Sequence, residues 1–319
     1  MSPLLRYIAG RVAAAVAVLF ALSVLCFLIV RLIPGDPVAN IVNSNSATPE
    51  HIASIRAQLG LDRPWPEQYL TWLGGLLTGN LGRSLTLPVL LQDQVATRLP
   101  VTIELAVIGT IVAVIFGLCF GTASAYWRGR VPDVSIRALA FILLALPEFI
   151  AATLVVVVNS LTLRLPLLGY VPWEQSPTKN IMSLLVPGIV LGITSGAVLT
   201  RYVRSSLLDA LDQDYIRTAR AKGASHLRLV FAHALRNSMI PVVTVIGTSL
   251  ALLIGGTVVI ENVFSLPGMG TALITAMNTS DYPAIQSYVV ILGAFYVVIN
   301  LLVDVSYPLI DPRVRLVKK

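Results

Sequence analysis

Six long apolar runs dominate this 319-residue chain and leave few ways for it to fold. Each run supplies roughly the 20 apolar residues that a helix needs to cross the hydrocarbon core of a bilayer. Hydrophobic residues make up 56% of the sequence and charged residues only 12%, which excludes an ordinary soluble domain. We therefore predict an all-α integral membrane protein with six transmembrane helices, at approximately residues 9–30, 101–126, 136–159, 182–200, 240–260 and 285–307.

The first run has two interpretations, a cleavable secretory signal or a retained anchor. Arg6 and Arg11 stand at its start, as basic residues do in a signal peptide. The apolar region of a signal is typically about 7 to 15 residues long, and the run at 9–30 is longer. The following sequence RLIPGDP also lacks the small residues of a cleavage site, so we interpret the run as a retained anchor.

The distribution of basic residues predicts the orientation. Six spans put both termini on one side of the membrane, and sixteen of the 23 Lys and Arg residues fall on that side, in the shorter connecting segments. The positive-inside rule places the side richer in Lys and Arg in the cytoplasm. We therefore predict cytoplasmic termini, attribute the formal charge of +7 to topology, and expect no nucleic-acid partner.

The predicted spans divide the chain into three parts. Residues 1–30 form the N-terminus and the first span, residues 31–100 an external loop subdomain, and residues 101–319 a transmembrane core with a cytoplasmic loop at 201–238. In the external loop, Thr48 as N-cap with Pro49 after it and Gly60 as a stop predict a short helix.

A basic segment, DYIRTARAKGA, lies in the cytoplasmic loop. It alternates small side chains with cations, and no face of the predicted helix is continuously apolar. Small side chains permit close approach by another protein, and cations can pair with its acidic groups, so we predict a docking helix. The alternative is a solvated loop that merely follows the positive-inside rule. The predicted docking residues are Asp214, Tyr215, Arg217, Thr218, Ala219, Arg220, Ala221, Lys222, Gly223 and Ala224.

Residues able to support catalysis or bind a metal are not grouped in the sequence. The three histidines lie outside the apolar runs, while Cys26 and Cys119 lie inside them and are interpreted as small hydrophobic residues. The chain also lacks the G-x-x-x-x-G-K-[ST] phosphate loop. We predict a non-catalytic chain that binds no metal and no cofactor of its own.

Polar residues within the predicted spans are candidates for lining a translocation path. Glu148 is ionisable within a span, which is by default a functional hypothesis and leaves a proton-coupled secondary transporter as an alternative. Hydroxyl groups in spans often serve helix packing instead. The candidates are Glu148, Asn159, Thr244, Thr248 and Ser249.

Several stretches resemble one family, the permease subunits of ATP-binding-cassette importers of the dipeptide, oligopeptide and nickel type. DYIRTARAKG followed by HALRNSMIPVVT is similar to the family's coupling loop, whose general form is E-A-A, three residues, Gly, nine residues, I-x-L-P. With Gly223 as the anchor, the acidic residue and the proline are missing, as in the peptide-type branch. Further resemblance lies in RLIPGDPVA, LGLDRPWPEQYLTWLGGLLTGNLGRSL, VVIENVFSLPGMGTALITAMNTSDYPAIQ and LLVDVSYPLIDPRVR.

The resemblance implies a multi-pass permease of the bacterial cytoplasmic membrane that forms half of an import pathway. Its implied partners are a second, similar permease subunit, two ATPase subunits that use ATP and Mg²⁺ and grip the coupling loops, and an extracytoplasmic substrate-binding protein. Membrane lipid surrounds the spans. Peptides are the first expectation for cargo, with nickel, haem or a glutathione-like compound as alternatives.

Overall fold

The computed structural model describes residues 3–32, 53, 56–57, 60, 62–162 and 164–310. Within these ranges the chain is helical, and the extended segments make one isolated bridge, between Arg83 and Leu90, but no strand. The predicted all-α class is thereby confirmed. The short helix predicted between Thr48 and Gly60 lies mostly outside the described residues.

The helices are named here in chain order. They are α1 (Pro3–Leu32), α2 (Trp65–Leu77), α3 (Leu91–Tyr126), α4 (Val131–Ala145), α5 (Glu148–Leu161), α6 (Pro177–Leu211), α7 (Asp214–Ala221), α8 (Leu235–Val263), α9 (Met269–Asn278) and α10 (Tyr282–Ile310). A helical turn, His226–Arg228, and a π-helical segment, Leu229–Ala234, lead into α8.

Several helices can span a membrane. Among the described residues, α1, α3, α6 and α10 are long and apolar enough, and α4 with α5 gives a fifth span if the bent pair crosses as one. These helices make the chain a multi-pass membrane protein. The predicted run at 240–260 lies in the 29-residue helix α8, where the side chains of residues 240, 241, 244 and 250–252 are outside the described part.

The run at 136–159, predicted as one helix, is two helices in the structure. α4 and α5 meet at an angle of 98°. Leu146 is extended (φ −86°, ψ 115°), as expected for the residue before a proline, and Pro147 has no N–H with which to continue the α4 hydrogen-bond ladder. α5 therefore starts anew, with Glu148 in its first turn.

The described chain forms two compact units, of which the first comprises Met1–Ala9, Thr102–Leu266 and Ile299–Lys319. In this unit α3 and α6 approach closely along two rows of glycines. A Cβ atom at Gly192 would overlap Val112, and one at Gly117 would overlap Leu199. Stripes of small residues are the usual means by which membrane helices bring their backbones together. The other glycines in the two rows are Gly109, Gly121, Gly188 and Gly196.

The second unit comprises Gly10–Val101 and Pro267–Val298. α2 packs on α1 through an aromatic group in which the ring centroids of Phe27 and Tyr69 lie 5.2 Å apart, edge to face. Ser23 Oγ and Tyr69 Oη are 2.8 Å apart, within hydrogen-bond distance. These contacts hold the amphipathic helix α2 against the membrane-spanning helix.

Asp281 organises a loop of the same unit. Its carboxylate is buried and accepts hydrogen bonds from Ser84 Oγ, from the Leu85 amide (3.3 Å) and from Thr86 Oγ1 (3.2 Å). It also accepts one from the Ala284 amide in the first turn of α10 (3.3 Å). One carboxylate therefore joins the segment before α3 to the link between α9 and α10.

Candidate functional site

α7 is held on the chain by one large apolar side chain. Ile216 is fully buried, in a cluster with Leu207 of α6 and with Leu229 and Val230 of the π-helical segment. The sequence of this segment shows no continuous apolar face, and Ile216 is therefore not among the predicted functional residues. A lone large aliphatic residue among polar neighbours was the available signal.

The end of α7 is fixed by its backbone. Gly223 has a φ of +83°, which a residue with a side chain rarely adopts. Its amide donates to the Arg220 carbonyl (2.9 Å), and the Ala224 amide donates to the Ala219 carbonyl (3.2 Å). This pair of bonds is a Schellman motif, which ends a helix with glycine in the left-handed conformation.

Several of the small residues predicted to contact a partner also have a role within the chain. Ala219 and Ala224 are half-buried and pack against the Ile216 cluster, so they belong to the chain's own core. A Cβ atom at Gly223 would meet no atom within 4 Å, so the glycine serves the turn. Of the three alanines predicted to contact a partner, Ala221 is the one that is exposed.

The remaining α7 side chains form an exposed polar surface. Asp214, in the first turn, suits the positive end of the helix. Its carboxylate pairs with Arg217 at 3.2 Å, with both side chains in solvent, so the pair adds little stability. We call this surface the α7 exposed face; it comprises Asp214, Tyr215, Arg217, Thr218, Arg220, Ala221 and Lys222.

The segment after α7 joins it to α8 without an open loop. Ser225 caps the next helical turn by accepting from the Arg228 amide (3.4 Å). The His226 ring lies 4.9 Å from the Tyr126 ring, centroid to centroid, and its Nε2 is 3.3 Å from the Tyr126 carbonyl oxygen. The π-helical segment then continues directly into α8. α7 and α8 are therefore connected mainly through helical segments rather than through an extended loop.

A buried carboxylate that the sequence analysis missed lies near the start of α4. Asp133 accepts two hydrogen bonds from Arg204 of α6, from Nε (2.8 Å) and Nη2 (2.9 Å). Ser124 Oγ (2.6 Å) and the Gly129 amide (3.0 Å) also donate to it, and Arg137 Nε lies at 3.3 Å. The sequence signal was a single acid after Pro132 among several arginines.

A second polar cluster joins α3 to the segment between α5 and α6 and to the start of α6. Glu104 accepts hydrogen bonds from Tyr170 Oη (3.1 Å) and Asn180 Nδ2 (2.9 Å). Burial, together with the hydrogen bond to Glu104, raises the pKa of Tyr170 to about 12. The tyrosine therefore stays protonated and remains a donor to Glu104 at neutral pH.

The candidates for a translocation path are not brought into one cluster of described side chains. Glu148 lies against Gly256 of α8, where a Cβ atom would meet its Oε2, and it forms no ion pair among the described residues. The Asn159 amide is engaged by the loop after α5, since it donates to the Leu165 carbonyl (2.9 Å) and accepts from the Leu165 amide (3.0 Å).

The remaining path candidates lie on α8. Thr248 is exposed and its Oγ1 donates to the Val245 carbonyl (3.0 Å). Ser249 is half-buried, and the side chain of Thr244 is outside the described part. Their role in a path stays a prediction.

Comparison with known proteins assigns the family. Residues 117–316 match the binding-protein-dependent transport system inner membrane component, and residues 4–106 match the N-terminal part of such membrane components. The chain belongs to this family. The family resemblance expected from the sequence, a permease of a peptide-type importer of the ATP-binding-cassette class, is confirmed.

Relatives align with this permease over nearly their whole length. A Brucella abortus protein named as a peptide transport system permease is 42% identical over 306 residues, covering 96% of this chain and 97% of its own. A Sinorhizobium fredii protein named as a peptide ABC transporter permease is 38% identical, with 97% and 99% covered. The glutathione transport system permease GsiC of Escherichia coli is 37% identical, with 98% and 99% covered.

Proposed function

We propose that this permease is one of two membrane subunits of an ATP-driven importer that carries peptides inward across the cell membrane. In this proposal the chain crosses the membrane six times, both termini are cytoplasmic, and α7 is the coupling helix. Two ATPase subunits, which bind ATP and Mg²⁺, seat on the α7 helices of the two permeases. The permease itself hydrolyses nothing and holds no cofactor.

The observation that carries the proposal is the construction of α7. One face is fixed to the chain's core by Ile216, and the end is fixed by the turn at Gly223, while the α7 exposed face carries cations and the small residue Ala221. A loop that only satisfied the positive-inside rule would need neither the buried anchor nor the helix stop. A rigid, cationic helix joined through helical segments to α8 suits the transfer of motion from an ATPase.

The second compact unit supports an external platform for a substrate-binding protein. Its two chain segments, Gly10–Val101 and Pro267–Val298, include the described part of the predicted external loop and the stretch just before the last predicted span. A shared apolar cluster includes Leu91, Met269 and Tyr288, so the two segments form one folded body. We propose that this body receives the loaded binding protein.

Peptides are the proposed cargo because relatives that align end to end are named as peptide permeases. The relative named for glutathione makes a glutathione-like tripeptide the second candidate. Nickel and haem remain alternatives that a competition assay decides. Unlabelled dipeptides, longer peptides, glutathione, haem and nickel should be compared as competitors of labelled peptide uptake.

The proposal is tested by peptide uptake into proteoliposomes that contain the assembled transporter, its binding protein and ATP. Ala221→Trp places a large side chain on the α7 exposed face, and Ser135→Trp places one at an exposed small residue of α4 as a matched control. We expect Ala221→Trp to abolish uptake with the protein still inserted, and Ser135→Trp to retain it. Normal uptake by Ala221→Trp would contradict the docking role of α7.

Reconstitution of the permease alone, under an ion gradient, distinguishes a secondary transporter from the proposed ATP-driven importer. We expect no uptake without ATPase subunits. Gradient-driven uptake that is lost in Glu148→Gln would instead identify a secondary transporter.

A further inference from the structure

A cavity of about 520 Å³ lies between α4 and α6, apart from the docking helix. α4 and α6 pack directly against each other in the first unit. The cavity walls combine basic and aromatic side chains: Arg137 and Phe141 of α4 with Arg201, Tyr202 and Arg204 of α6. None of these side chains belongs to the α7 exposed face or to the candidates for a translocation path.

The described acidic groups do not balance the charges around the cavity. Arg204 and Arg137 share a single carboxylate, that of the buried Asp133. Arg201 has no carboxylate partner among the described residues, and its guanidinium lies 5.5 Å from the centroid of the Phe141 ring. Three cations therefore face one anion, and an anionic group in the cavity would complete the pairing. A phosphate oxygen pair matches the planar fork of a guanidinium.

Apolar side chains continue from the cavity along α4. Val134, Arg137 and Phe141 stand at spacings of three and four residues, so they share one helical face. Val134 and Phe141 are more than half exposed, as is Ile142 one residue further along. α4 together with α5 is apolar enough to cross a membrane. The basic cavity thus opens beside a surface that acyl chains can cover.

We propose that this cavity binds the headgroup phosphate of an anionic phospholipid, with the acyl chains against the exposed apolar face of α4. A free phosphate ion would use the arginines but leave the adjoining apolar face uncovered, whereas a phospholipid satisfies both. Basic pockets between membrane helices are known to select anionic headgroups. Arg201 is the residue whose charge the lipid neutralises, and Asp133 sets the orientation of Arg204 beside it.

Native mass spectrometry of the assembled transporter in detergent micelles tests this site. Phosphatidylglycerol or phosphatidylcholine is added to the complex before the measurement. The intact complex should retain phosphatidylglycerol in preference to phosphatidylcholine. Arg201→Gln should weaken phosphatidylglycerol retention about tenfold, the size of effect typical of a charge-assisted hydrogen bond. Arg130→Gln removes an exposed arginine that does not line the cavity, and it should leave retention unchanged.

Four outcomes would overturn the proposal. Equal retention of the two lipids by the unmodified complex would show no headgroup selection, a result that does not depend on the folding of any variant. Unchanged retention in Arg201→Gln would place the lipid elsewhere. Binding of inorganic phosphate without retention of added phosphatidylglycerol would assign the cavity to a free anion. A disulfide from Tyr202→Cys to the second permease subunit would show that protein covers the cavity.

Discussion

At the scale of single residues, two positions determine the structure of α7: Ile216 by its burial, and Gly223, just after the helix, by its backbone. Gly223 ends the helix in a conformation that glycine adopts freely, and open space surrounds the position of its missing Cβ. Ile216 is the point at which the helix is attached to its own chain. The two residues act on α7 in different ways and can be tested separately.

The first prediction compares Gly223→Ala with Gly223→Asn. A left-handed conformation costs about 1 to 2 kcal/mol for alanine, while asparagine tolerates it better. We expect Gly223→Ala to speed amide hydrogen exchange at residues 223 and 224 and to reduce transport, with Gly223→Asn close to the unmodified protein. Equal loss of transport in both variants would instead mean that a partner approaches the backbone and excludes any side chain.

The second prediction concerns Ile216→Ala. Removing a buried isoleucine side chain costs about 2 to 5 kcal/mol, and here the loss falls on a helix of eight residues. We expect fast hydrogen exchange throughout α7 and loss of ATPase binding, with the membrane helices still protected. Tyr215→Ala, at an exposed neighbour, is the control and should leave exchange unchanged. Protection of α7 in Ile216→Ala would rule out the buried anchor.

At the scale of helices, one buried carboxylate links α4 to α6. Asp133 accepts hydrogen bonds from Arg204 and Ser124 and pairs with Arg137 as well. Because its partners are cations in a partly buried site, loss of the carboxylate leaves positive charges without a counter-ion. Such a loss is far more costly than the loss of an exposed ion pair.

The third prediction is therefore a comparison of Asp133→Asn with Glu67→Gln. Breaking a buried pair costs about 3 kcal/mol or more, whereas the exposed pair of Arg63 and Glu67 contributes about 0 to 1 kcal/mol. We expect Asp133→Asn to lower the Tm of the purified protein clearly and Glu67→Gln to leave it nearly unchanged. Similar Tm values for the two variants would contradict a structural role for Asp133.

The sequence predicts the helices better than the contacts between them. The length and apolar composition of each run indicate membrane helices because lipid forces each segment to satisfy its own backbone. Pro147 stands inside a predicted span and indicates a break in the helix, but a proline alone does not predict an angle of 98°. Ile216 and Asp133 were not predicted because each contacts a residue of another helix, α6. Ile216 packs against Leu207 and Asp133 pairs with Arg204, and only the three-dimensional structure shows these contacts. Ala219 was assigned to a partner surface for the same reason.

At the scale of the whole molecule, the orientation in the membrane decides which partners can reach which surface. The docking role of α7 requires that it face the cytoplasm, and the platform role of the second unit requires the opposite side. Both assignments rest on the unequal distribution of Lys and Arg. A single topological error would therefore reverse them together.

The fourth prediction tests that orientation with single cysteines in a variant from which Cys26 and Cys119 have been removed. We expect Lys222→Cys to react with a membrane-impermeant maleimide only in inside-out vesicles, and Thr48→Cys only in right-side-out cells. The opposite pattern at both positions would reverse the orientation. Labelling of both from the same side would exclude an odd number of spans between them.

The proposal that the α7 exposed face binds an ATPase can be tested by site-specific photocrosslinking in cells. A photoreactive residue should replace the long side chain of Arg220, on that face, and Ser135, on α4. We expect a crosslink from position 220 to an ATPase subunit and none from position 135. Efficient incorporation at position 220 without an ATPase crosslink, in cells that still import peptides, would contradict the docking role of α7.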